Sequence, residues 1–202
     1  MTTENPLPSH LDLPGLFVDT LARIIDLHDH DTWTHCQRVS ELSVHLGLAF
    51  GLKDPDLSNL RTGAALHDLG KVGIPDYILL KPGPLTAQER EIMKKHPALG
   101  ADLLSGVPFL AGALPIIKYH HEKWDGSGYP RGLAGEQIPF LARIVSLANV
   151  WDSLHTETSY RREWTHVERI NHVCSLSGKH FDPKVVDVFI VHDGKNREPG
   201  TG

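Results

Sequence analysis

The run His67-Asp68-Leu69-Gly70-Lys71 sets an imidazole, a carboxylate and an ammonium within one short stretch of chain. Imidazole and carboxylate are ligands for borderline divalent metals, and a lysine three residues on can offset charge building on a phosphoryl group. A lone His-Asp dipeptide carries little weight. The chain, however, holds 14 histidines in 202 residues, and their placement is informative. His35, His67, His96 and the pair His120-His121 fall on or beside at least four helical stretches. No single helix can surround an ion, but a bundle can, with side chains projecting inward. Neighbours on a helix point about 100° apart. His67-Asp68 and His120-His121 therefore suit two adjacent ions, or one ion at the end of a helix. Asp68 has two oxygens and can bridge two ions. Many imidazoles with one bridging carboxylate fit iron or manganese in a two-metal site. Two ions about 3.5–4 Å apart can hold a hydroxide between them and polarise a phosphoryl oxygen. His45, His155, His166, His172 and His180 read as surface or capping residues.

The elements that must position these groups are helical. Leu16 to Leu27 carries Phe17, Leu21, Ile24 and Ile25 at helical spacing. A second helix, capped by Thr32 or Thr34, runs to about Phe50, where Gly51 stops it. A third opens at Asp56 or Ser58 and ends near Gly70. Gly73, Pro75, Pro82, Gly83 and Pro84 make 71–85 a loop, with room for one extended or 3₁₀ turn. Thr86-Ala-Gln-Glu89 is a capping box that starts a helix to about Lys95. Pro97 suits the first turn of the next helix, to Leu104. Phe109 to His121 reads as a helix kinked at Pro115, unless that proline lies in a first turn. Glu122 to Pro139, rich in Gly and Pro, is a long loop, and loops of this length in compact domains are usually functional. Phe140 to Leu154 reads as a buried helix, followed by amphipathic helices over Trp164–Leu176 and Pro183–Val191. No period-2 strand pattern and no internal repeat is present. The expectation is an all-α domain over 16–191, with a flexible leader at 1–15 and a flexible tail at 192–202.

Composition narrows the classes. The chain is 40% hydrophobic and 22% charged, as ordinary globular proteins are. A net charge of −5 argues against binding a nucleic-acid polymer, which wants a basic face. It leaves room for an anionic substrate, because bound metal ions supply local positive charge. Cys36 and Cys174 form no CxxC motif and make no disulfide framework, so a reducing cytoplasm is expected. No apolar run approaches the ~20 residues of a membrane helix. Met1 to Pro14 lacks the layout of a signal peptide.

Several longer motifs resemble a known family. They are Arg38-Val39, Leu66 to Pro75, Leu80-Lys-Pro-Gly-Pro-Leu-Thr86, His96-Pro97, His120-His-Glu-Lys-Trp-Asp-Gly-Ser-Gly-Tyr-Pro130, Gly132-Leu133, Ile138-Pro139 and Ala142-Arg-Ile144. In order and spacing they resemble the HD-GYP domain, a subgroup of the HD phosphohydrolase superfamily, over roughly 16–191. The resemblance implies an HD-superfamily helical bundle with a long Gly/Pro-rich loop. It implies a bacterial signalling enzyme that hydrolyses cyclic di-GMP to pGpG or GMP on a cluster of two or three iron or manganese ions. It assigns metal ligation to His35, His67, Asp68, His96, His120 and His121. A further ligand falls on Asp31, where some members carry Glu for a third ion. Lys71 becomes the catalytic lysine beside the phosphate. Gly128, Tyr129 and Pro130 form the loop against the substrate, and Arg161 a substrate-contacting base. The resemblance also implies that the Gly126–Gly135 loop can dock a diguanylate cyclase domain.

Two positions depart from that pattern. The family's metal-ligand aspartate after Ala-Arg-Ile is Asn149 here, within Ala148-Asn-Val-Trp-Asp152. An amide oxygen can coordinate but brings no charge, so one ion should be held more weakly. The family's Arg-Pro-Tyr-Arg is Thr158-Ser-Tyr-Arg161, which removes one guanidinium. The leading expectation is an active cyclic di-GMP phosphodiesterase. The second is a weakly active or inactive module that binds metal, cyclic dinucleotide or a cyclase partner for signalling. The third is a phosphohydrolase for another nucleotide.

Overall fold

The computed structural model describes residues 12–154 and 164–195, and helices dominate them. No strand occurs among the described residues, only isolated bridges such as Asp125 to Ala134. Helix α1 spans Leu13–His28, capped by Asp12, and α2 spans His30–Ala49, capped by Asp29. Their junction is one residue: the Asp29 carboxylate accepts from the Asp31 and Thr32 amides and turns the chain. Helix α3 covers Asp56–Ala65, and a 3₁₀ turn over Leu69–Gly73 follows.

The stretch expected as a loop with one extended or 3₁₀ turn then holds a short α-helix as well, α4, Asp76–Leu79, before Pro82 and Pro84. The Thr86–Glu89 capping box is present and opens α5, Ala87–Met93. Lys81 reaches Glu89 at 2.6 Å and ties the proline-rich loop to that helix start. Helix α6 is His96–Leu103 with Pro97 in its first turn. The helix expected from Phe109 begins instead at Leu114, because Pro115 occupies the first turn of α7, Leu114–Tyr119. Pro108–Leu110 is a separate 3₁₀ turn. Helix α8 is Phe140–Ser153, α9 is His166–Ser175 and α10 is Pro183–Lys195.

Two apolar clusters meet in this bundle. One joins Val39, Leu46, Leu60, Ala64, Ile116, Ile144, Val145, Ala148, Val185 and Phe189. The other joins Ile25, Leu66, Leu69, Ala101, Leu104, Leu110 and Ile117. Ala64 and Ile116 belong to the first cluster, Leu66 and Ile117 to the second. The chain therefore crosses the seam between clusters just before His67 and again just before His120. Fixing a helix end on both sides in this way limits how far its side chains can drift, since packed interiors do not deform smoothly.

Glycine brings two of these ends together. A Cβ on Gly70 would strike the His96 carbonyl and the Gly100 amide, so the 3₁₀ turn lies backbone to backbone on α6. That contact sets Asp68 beside His96.

Candidate metal centre

Two groups of ligand atoms converge. His35, His67 and Asp68 form one, and His96, His120 and His121 the other, each with its donor atoms within 4.8 Å of one another. Asp68 lies between them. Its Oδ2 is 3.4 Å from His67 Nε2, and its Oδ1 is 3.2 Å from His96 Nε2. The bridging carboxylate expected at this position therefore has one oxygen facing each group.

Three of the imidazoles are set by the ends of helices. His67, His96 and His120 donate from Nδ1 to the carbonyls of Ala64, Met93 and Ile117, at 2.7, 2.9 and 2.9 Å. Each acceptor sits three residues earlier, in the last turn of α3, α5 or α7, where carbonyls lack an onward helical partner. With the proton held on Nδ1, a neutral imidazole keeps its Nε2 lone pair for the site. His67 Nε2 is buried and has no hydrogen-bond partner. A buried polar atom without a partner is costly, and ligation would remove that cost.

The electrostatics agree with ligation. Burial drives the His67 imidazole down to about 4, so it is neutral at pH 7. Burial, reinforced by neighbouring imidazoles, holds His120 and His121 well below the usual histidine range. Burial pushes the Asp68 carboxyl up, but Lys71, His67 and His96 outweigh it and hold it well below the usual carboxylate range. Lys71 pairs with Asp68 at 2.7 Å, which overcomes the effect of burial and raises the ammonium. These donors, neutral imidazoles and one shared carboxylate, fit a pair of borderline divalent ions.

His35 is held from α8. Asp152 Oδ2 accepts from His35 Nδ1 at 2.7 Å, and Asn149 Oδ1 lies 3.0 Å from His35 Nε2. Arg38 grips the same Asp152 with Nε at 2.6 Å and Nη2 at 2.8 Å. Asp152 and Arg38 had no assigned role from sequence. Both lie one helical turn beyond a candidate ligand position, Asn149 and His35, and that spacing was the available signal.

A cavity of about 790 Å³ opens over His35, Asp68, Lys71, His121 and Asn149, with Asp31 and Arg38 on its wall. Asp31 is exposed there and belongs to neither ligand group. Tyr129 stacks on His121, with ring centroids 4.7 Å apart and planes 22° from parallel. It is not among the cavity-lining residues and packs on His121 instead. Gly128 allows that approach: a Cβ there would strike the backbone of His121, Glu122 and Lys123. Pro130 follows on a cis peptide.

The buried Glu122 accepts from the amides of Arg131 and Leu133, at 2.7 and 3.0 Å, and pins this loop beside His120 and His121. Arg143 pins its far end, donating to the Ile138 carbonyl at 2.7 Å and to Asp182 at 2.9 Å. Arg161, the expected substrate-contacting base, and Thr158 lie outside the described residues.

Comparison with known proteins follows the same lines. A family model described as an HD domain matches residues 19–185. The chain is 41% identical, over 84% of its length, to the cyclic di-GMP phosphodiesterase response regulator RpfG of Xanthomonas campestris, and covers 46% of that protein. It is 40% identical, over 87% of its length, to the 3'3'-cGAMP-specific phosphodiesterase 2 of Vibrio cholerae, covering 34% of it. The chain thus spans less than half the length of these relatives. Among solved structures, the cyclic GMP-AMP specific phosphodiesterase V-cGAP3 of V. cholerae superposes with a TM-score of 0.66 at 25% identity, over 90% of this chain and 48% of that one.

Proposed function

The chain belongs to the HD domain family, and from that premise we propose that this domain is a metal-dependent phosphodiesterase acting on cyclic di-GMP, with pGpG and/or GMP as product. The observation that carries this reading is Asp68, whose two oxygens face two separate ligand groups beside Lys71 at an open cavity. The names of the relatives support a cyclic dinucleotide as the substrate class.

In this reading His35, His67, Asp68 and Asn149 would hold one ion, and Asp68, His96, His120 and His121 would hold the other. Iron or manganese suits such imidazole-rich sets. The ion pair, when bound, would supply Lewis-acid polarisation of a phosphoryl oxygen and an activated water. The protein's own groups do the rest. Lys71 stands on the cavity wall as the cation for charge developing on the transferring phosphoryl group. Tyr129 braces His121 against rotation, and Glu122 holds the Tyr129 loop to the ligand pair.

The experiment is product analysis with protein prepared without air and supplied with Mn²⁺ or Fe²⁺. Cyclic di-GMP and 3'3'-cGAMP are offered separately. Formation of pGpG or GMP well above a His67→Ala, Asp68→Ala control is expected. Equal product from protein and control would overturn the proposal. Preference for the mixed dinucleotide would move the substrate while keeping the chemistry.

A further inference from the structure

We propose that Asp152, clamped by Arg38, is the positioning residue that keeps the proton of His35 on Nδ1 and so frees Nε2 to hold a metal ion. The inference rests on the reading of His35, His67 and Asp68 as a metal-holding group.

The reason such a residue is needed lies in where His35 sits. His67, His96 and His120 each stand at or just past a helix end, where a spare backbone carbonyl takes the Nδ1 proton. His35 lies inside α2, which runs His30–Ala49, where the carbonyls are engaged in the helix ladder. Its Nδ1 acceptor must come from another element. Helix α8 supplies one in Asp152, a carboxylate that is 6% exposed. An ionised carboxylate can only accept, so it demands a hydrogen on Nδ1.

Arg38 fixes the carboxylate in turn, through a two-point grip of the kind that sets both position and orientation. Arg38 is three residues from His35 on the same helix. Ligand and clamp therefore move as one turn of α2 against one turn of α8.

Asn149 completes the arrangement. Its Oδ1 and the freed Nε2 are 3.0 Å apart. Two donor atoms this close could share one ion. Asn149 carries no charge, which leaves the imidazole lone pair as the stronger of the two donors from these helices.

The test uses the order of two substitutions. In Asp152→Asn one oxygen remains, and Arg38 claims it. The amide N–H₂ then faces His35 Nδ1 as a donor and drives the proton to Nε2, the wrong tautomer for ligation. In Asp152→Ala the space can take water, which accepts from Nδ1 as well as donates. Mn²⁺ binding by calorimetry, with ions counted by elemental analysis, should show one of two sites weakened. The expected loss is about 100-fold in Asp152→Asn and about 10-fold in Asp152→Ala. The second site should be unchanged. Thermal stability should run the other way, with the near-isosteric Asn variant the more stable.

Metal affinity that follows stability, with Asn milder than Ala, would mean a packing role and overturn the inference. A second measurement needs no variant. Histidine ¹⁵N NMR of the metal-free protein should show a proton on His35 Nδ1, and a neutral ring protonated on Nε2 alone overturns the inference outright. If the unmodified protein binds no Mn²⁺ that His35→Ala removes, the metal reading fails and takes this inference with it.

Discussion

Asp68 and Lys71, three residues apart, form an ion pair of 2.7 Å whose carboxylate also faces two imidazole groups. One side chain thus joins the charge of the lysine to both ligand sets. Asp68→Asn should cost both metal sites and not one. It should also leave Lys71 with its charge and no carboxylate partner. Elemental analysis should fall from about two ions to fewer than one, with turnover reduced at least about 100-fold. Loss of a single ion with the other intact would show that Asp68 serves one group only.

Asn149→Asp is the complementary change. It adds a carboxylate 3.0 Å from His35 Nε2 while keeping shape. Mn²⁺ should bind the His35 group about 10-fold more tightly. Turnover at limiting metal should rise with it. An unchanged binding isotherm would mean that the amide of Asn149 does not ligate.

Gly70 carries the approach of the 3₁₀ turn to α6, and a methyl there meets backbone atoms that cannot swing aside. Gly70→Ala should destabilise the domain by at least about 3 kcal/mol, at the upper end of overpacking costs. It should also part Asp68 from His96. Urea unfolding measures the first effect and ion counting the second. A variant as stable as the parent would show that the two backbones are free to separate.

Glu122→Gln leaves one oxygen to serve two amides, those of Arg131 and Leu133. A buried donor without an acceptor costs about 1–3 kcal/mol. The loop should become a site of limited proteolysis between Ser127 and Leu133, and KM should rise more than kcat falls. Unaltered protease resistance would show the staple to be dispensable.

Stability of the metal-free protein should depend on pH with a definite sign. The folded-state value of His67 is depressed to about 4, below the unfolded value of 6.5. The unfolded chain therefore takes up protons first as pH falls. The stabilisation is full above about pH 6.5 and is lost progressively towards pH 4. By pH 5 His67 alone accounts for about 2 kcal/mol, and the depressed His120 and His121 add in the same direction. Urea midpoints at pH 7, 6 and 5 check this, and a flat profile would contradict it.

The six candidate ligands that the structure brings together were legible because each belongs to a motif with its own helix, turn or proline, from His35 to His121. The capping box at Thr86 and the stop at Gly51 were legible for the same local reason. Partners far apart in the chain were not. Asp152 meets His35 across 117 positions and Arg38 across 114, and no periodicity encodes that pairing. Tyr129 followed the same rule. Its motif is obvious in sequence, but its stacking on His121 depends on the fold of a Gly/Pro-rich loop, which side-chain patterning does not specify. The start of α7 turned on whether Pro115 would kink a helix or open one, and a fixed φ allows either.

The carbonyls of Ala64, Met93 and Ile117 have one more consequence. They are C-terminal carbonyls of three helices, and each is joined through an imidazole Nδ1 to one of the two candidate ligand groups. Each helix terminus behaves as a partial negative charge, felt within its last turn. The two candidate ligand groups contain one carboxylate between them, which would be sparse for a pair of dications. The three termini make up part of that deficit with fixed backbone dipoles, which cannot be protonated in acid or neutralised by a single substitution. A field favourable to cations would in this sense be built into the main chain, with the side chains deciding where in it an ion comes to rest.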